Sequence, residues 1–89
     1  MQMRAIHMNA RRMVVNIAAG TLSNRFELPP MSRFRFKVPC DTLTQVQVDL
    51  WNGETLLDSQ SRSFLTSLEL PPVNLPTDRL IVQRMEAQK

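Results

Sequence analysis

A single histidine, His7, and a single cysteine, Cys40, are the first residues to test for chemistry. A thiol beside an imidazole can form an activated nucleophile. No orienting motif surrounds either residue, and a lone cysteine most often packs as a small apolar group. A tetrahedral zinc site would need two carboxylates besides these two side chains, and the spacing offers no such set. No glycine loop to cradle a phosphate, no nucleophile elbow and no pair of carboxylates at a recognisable spacing occurs. The chain is therefore expected to be no enzyme and to hold no cofactor or metal. One cysteine also means no internal disulfide, which suits a reducing compartment or a partner-stabilised protein.

The residues most suited to binding are cations. In Ser32-Arg33-Phe34-Arg35-Phe36-Lys37-Val38 the apolar residues 34, 36 and 38 alternate with cations at 33, 35 and 37. A strand sends successive side chains to opposite faces, so this segment presents one apolar face and one cationic face. Arg33, Arg35 and Lys37 then stand about 6.8 Å apart, two strand rises, and can follow a phosphate backbone. Arg11 and Arg12 add to the same anion-contact set. Single-strand binders also stack bases on exposed aromatic rings; here only Trp51 is free for that, because Phe34 and Phe36 face the other way. The competing reading pairs these cations with Asp49 and Asp58 inside one fold.

The net charge of +3 is unevenly spread. Residues 1–40 carry Arg4, Arg11, Arg12, Arg25, Arg33, Arg35 and Lys37 against Glu27 alone. Residues 41–89 carry Asp41, Asp49, Glu54, Asp58, Glu69, Asp78 and Glu86 against Arg62, Arg79, Arg84 and Lys89. Such asymmetry points to an anionic partner, or to copies meeting basic face to acidic face.

The elements that must position these residues are strands. Thr44–Trp51 alternates as cleanly as 32–38 and runs into Asn52-Gly53, a strong hairpin signal. A two-residue loop there sets Trp51 opposite Glu54, Leu50 opposite Thr55, Asp49 opposite Leu56 and Val48 opposite Leu57. Val46, Val48, Leu50, Thr55, Leu57 and Ser59 then point inward. Trp51, Leu56 and Asp49 share the outer face with Gln47, where an indole and a leucine make a candidate protein interface. Further strands are expected over 63–70 and 79–85, with a proline-punctuated loop over 73–78. Residues 3–17 fit a helical spacing, yet Arg12–Ile17 is β-branched and alternating, and a strand over 12–18 is the preferred assignment.

The letters ELPP close residues 27–30 and recur at 69–72. Laid together, 14–32 and 56–74 both run from paired aliphatics through small polar residues to an apolar strand and a double proline. That similarity makes an internal duplication one reading of the chain, each copy being strand, connection, strand, proline stop, strand.

Eighty-nine residues make one domain, and no apolar run is long enough to span a membrane as a helix. No leader pattern is read at the start. The expected organisation is an N-terminal arm or edge strand at 1–11 and a single all-β domain over 12–89. Six to seven strands suffice for a small antiparallel β-sandwich, immunoglobulin-like, or for a partly open barrel. Few glycines favour the sandwich. The expected role is a non-enzymatic structural protein acting through protein–protein contacts with copies of itself or a larger assembly. Its most specific form is a minor capsid, cement or adaptor protein of a viral or phage particle, located in the virion or in the cytoplasm before assembly. The alternative is a basic single-stranded nucleic-acid-binding protein of OB-like fold.

Overall fold

The computed structural model describes residues 1–67, 69–75 and 80–85. Eight strands occur among them: β1 (Gln2–His7), β2 (Arg12–Ala19), β3 (Leu22–Leu28), β4 (Arg33–Lys37), β5 (Leu43–Asn52), β6 (Thr55–Leu65), β7 (Val73–Leu75) and β8 (Leu80–Arg84). They build two antiparallel four-stranded sheets, a first ordered β4-β1-β8-β7 and a second ordered β3-β2-β5-β6. The sheets pack together in a sandwich-like arrangement and do not close into a barrel, and no helix occurs among the described residues.

Alternation explains the strands. In β5 the even residues Thr44, Val46, Val48 and Leu50 are buried, while Leu43, Gln45 and Gln47 are exposed. Inner positions of the first sheet give Met3, Ala5, Phe36, Leu75, Leu80 and Val82; the second gives Met13, Val15, Ile17, Val46, Val48 and Leu50. Phe34 and Phe36 also face inward, and Arg33, Arg35 and Lys37 outward, as the sequence pattern requires. One flank is closed by aromatic contacts: the Phe26 ring of β3 lies 4.0 Å from Phe34 and 6.4 Å from Phe36 of β4. The opposite flank is polar. There Arg62 of β6 donates from Nη1 to the Asn74 carbonyl of β7 at 2.9 Å.

Several sequence expectations are corrected. Residues 1–11 are neither an arm nor an edge strand, because β1 lies between β4 and β8 with a full ladder on each side. Its short alternation of Met3, Ala5 and His7, all buried, was masked by a competing helical spacing. The hairpin loop is Gly53-Glu54, with Asn52 opposite Thr55. Gly53 has φ of +60° while Glu54 has no positive φ, the pattern of a turn with glycine first rather than of an Asn-Gly turn. A bulge at Leu57 then shifts the ladder, so that Leu50 faces Asp58 and Asp49 faces Ser59. Thr55, Leu57 and Ser59 are consequently exposed instead of inward, and half-buried Asp58 and Gln60 take the inner positions.

The two ELPP segments fold differently. In the first, Gly20 (φ +61°) allows the turn between β2 and β3, and ELPP closes β3 with Leu28 buried. Position 62 of the second is Arg62, and β6 runs straight through it to Leu65. Glu69 and Leu70 then lie in a turn rather than a strand, with Leu70 N–H donating to the Ser67 carbonyl at 3.2 Å. The repeat is thus one of letters and not of structure. Val73–Leu75, expected as loop, is a short strand; residues 68, 76–79 and 86–89, including Arg79, lie outside the described residues.

Candidate functional site

Charge in this fold divides by sheet. The strands of the first sheet, QMRAIH, RFRFK, VNL and LIVQR, contain Arg4, Arg33, Arg35, Lys37 and Arg84 and no acid. The strands of the second hold Arg12, Arg25 and Arg62 against Glu27, Asp49 and Asp58. The asymmetry seen along the sequence is therefore an asymmetry between the two layers.

On the outer face of the first sheet, β4 contributes Arg33, Arg35 and Lys37, and β1 contributes Gln2, Arg4 and Ile6. Arg4 is the direct cross-strand partner of Arg35, and Gln2 of Lys37. On its other side Arg4 faces Gln83, and Ile6 faces Ile81. Two like charges placed opposite each other on an antiparallel pair repel. The Arg4 Nε is buried and has no hydrogen-bond partner. Asp49 and Asp58 do not relieve these cations, since both belong to the second sheet. There Asp49 accepts a hydrogen bond from the Ser59 hydroxyl at 2.6 Å, and Asp58 accepts one from the Gln60 amide at 3.3 Å.

Arg11 and Arg12 are separated from this row. Arg11 sits exposed in the β1–β2 connection, its N–H bonded to the Asn9 side chain. Arg12 lies on the second sheet, 3.4 Å from Glu27 and 5.6 Å from the centroid of the Trp51 ring. It also donates to the Gly53 carbonyl at 3.3 Å. Trp51 is half-buried under this guanidinium, so the indole is already partly covered from within. Leu56 is its direct register partner and is exposed. Asp49, two residues on, is half-buried on the same face.

The same face carries a second apolar pair, Leu43 opposite Leu65, which are 69% and 55% exposed. Leu65 at one end and Leu56 and Leu57 at the other mark β6, the longest strand and, with β3, one of the two edges of its sheet. Its middle, Asp58-Ser59-Gln60-Ser61-Arg62-Ser63, is polar on both faces. Sequence reasoning missed this edge because it ended the strand at Ser59. The signal available was the absence of any glycine, proline or asparagine in Asp58-Ser59-Gln60-Ser61-Arg62-Ser63, between Leu57 and Phe64.

His7 and Cys40 play no joint part. His7 is fully buried with Nδ1 on the Pro29 carbonyl at 2.8 Å. Burial lowers its pKa below the usual imidazole value, against an opposing pull from backbone hydrogen bonds. Cys40 is exposed in the β4–β5 connection. That connection is held by Thr66, whose buried hydroxyl lies 2.7 Å from the Pro39 carbonyl and accepts from the Thr42 N–H at 3.0 Å. Among the described residues no three His, Cys, Asp or Glu side chains gather as a metal site, and no helix is long and apolar enough to cross a membrane. No family model, curated protein or solved structure matches the chain.

Proposed function

We propose that this chain is a non-enzymatic assembly subunit that works by adding its β6 edge to neighbouring protein. The observation that carries the reading is that edge: an 11-residue strand paired on one side only, with Leu56, Leu57 and Leu65 about half exposed along it. A long open edge with apolar residues is a ready template for another strand. Of the devices that discourage such pairing, β6 carries a bulge at Leu57 and the inward charges Asp58 and Arg62 but no lysine or proline, which leaves Ser59–Leu65 as the stretch open to another strand. The Trp51–Leu56 pair and the Leu43–Leu65 pair would flank an incoming strand on the outer face.

A small component of a viral or phage particle is the specific form we favour, in the virion or in the cytoplasm before assembly. Its support is the division of labour between layers, a neutral sheet with an adhesive edge behind a uniformly basic one. We also read the sandwich as immunoglobulin-like. The order β6-β5-β2-β3 follows the G-F-C-C′ order of such domains, with β1 and β4 in the places of B and E and β8 in that of A.

Density-gradient sedimentation of native source material tests the proposal. The chain should travel with a fast-sedimenting particle, and Leu57→Lys/Leu65→Lys should move it to the monomer position without changing its thermal melting. A wild-type chain found only as a slow free monomer would refute it.

A further inference from the structure

We infer that the outer face of the first sheet binds the phosphate backbone of nucleic acid, without regard to sequence, through Arg4, Arg33, Arg35 and Lys37. This goes beyond the assembly role and does not depend on it. The four cations form a compact array: three along β4 at intervals of about 6.8 Å, and Arg4 one strand spacing of about 4.8 Å away, opposite Arg35. None makes an ion pair or a side-chain hydrogen bond among the described residues, where the only ion pair is Arg12–Glu27. A fold gains nothing from opposing arginines that no acid among the described residues pairs. An external anion would relieve the repulsion and supply the acceptor that the buried Arg4 Nε lacks.

The kind of anion follows from what surrounds the array. A second copy of this chain offers no acidic sheet face as complement, because the strands of its other sheet balance three cations with three acids. The acids Asp41, Glu54 and Glu69 are scattered over separate connections. A bilayer needs an apolar anchor besides charge. Among the described residues the exposed large apolar side chains lie off the strands of the first sheet. The two nearest, Met8 and Met31, sit in the connections at one end of β1 and β4 and leave the face between the cations without an apolar anchor. Three of the four cations are arginines, whose planar forks match phosphate oxygens two at a time. A sheet face laid broadside on a duplex meets the phosphate backbone before the base edges, which lie within the grooves. Its aromatic rings are turned inward, Phe34 and Phe36 lying 6.5 Å apart on the core side, so no base can stack on them. Backbone charge is what remains to be read, which makes binding salt-dependent and sequence-independent.

Fluorescence anisotropy of the full chain with a short DNA duplex, an oligothymidylate strand and phosphatidylserine-containing vesicles tests this. Four phosphate contacts give a slope of log affinity against log salt of about −3.6 on duplex, about a 150-fold loss between 50 and 200 mM. Arg4→Gln/Arg35→Gln should reduce the slope to about −1.8 and the loss to about 12-fold. Arg33→Gln/Lys37→Gln, at exposed positions, should do the same and covers the case in which the first pair fails to fold. Arg25→Gln on the other sheet should leave the slope unchanged. No binding at low salt, a slope indifferent to the first-sheet substitutions, or capture by vesicles but not by either DNA would each overturn the inference.

Discussion

Arg35→Glu should make this protein more stable while weakening the DNA binding inferred for its basic face. In the wild type Arg35 stands directly opposite Arg4 on adjacent antiparallel strands, and no acid lies on the strands of that sheet. A directly opposed like-charge pair on an exposed sheet face costs roughly 0.2–1 kcal/mol, and an opposite-charge pair contributes about as much. Reversing one charge therefore gains about 0.4–2 kcal/mol at low salt. For a domain near 90 residues each kcal/mol moves the melting temperature by about 5 °C, so the rise should be about 2–10 °C. Arg35→Gln should give about half of it. Differential scanning calorimetry at low ionic strength reads the effect directly. Repeating it near 1 M salt, where the Debye length falls to about 3 Å, should erase most of the gain. Affinity for DNA should fall in the same variant. A melting temperature that is unchanged or lower at low salt would mean the two guanidiniums splay apart without repulsion. The electrostatic reasoning about this face would then fail.

Three further perturbations probe the parts that hold the faces in place. His7 is the only histidine, and its folded-state pKa is lowered by burial, so stability should be full above about pH 6.5 and decline as pH falls below that, where the unfolded chain takes a proton the folded one resists. Urea midpoints between about pH 8 and pH 5.5 should show that decline, which His7→Gln should flatten; a midpoint rising on acidification contradicts it. Gly53→Ala should cost about 1 kcal/mol although a Cβ there meets nothing within 4 Å, because the cost lies in φ of +60°; an unchanged urea midpoint would rule out that strain. Thr66→Val should cost about 1–3 kcal/mol by stranding the Thr42 N–H and the Pro39 carbonyl, and equal stability would mean the β4–β5 connection finds other partners.

Strands with one apolar and one polar face were legible from residue order, even where the partner strand lies far along the chain. Arg33–Lys37 and Thr44–Leu50 alternate, and burial confirms which side each residue takes. What depends on distant segments was not. Nothing near residues 2–7 announces that β4 and β8 will flank them, so Arg4 entered the charge count without its place beside Arg35. The Asn52-Gly53 signal located the hairpin, but one residue of offset and the bulge at Leu57 turned the predicted inner face of β6 outward. Period two makes such an error total, since a slip of one residue exchanges the faces. The ELPP repeat misled for a related reason: a single glycine, Gly20, decides whether that stretch folds back or runs on.

Amide hydrogen exchange across Thr55–Leu65, in the free chain and in the assembly proposed for it, bears most directly on the proposal that this edge recruits neighbours. Alternate β6 amides should exchange quickly in the free chain, where one side of the strand is open, and become protected on assembly. Protection that appears elsewhere while β6 stays fast in both states would contradict it.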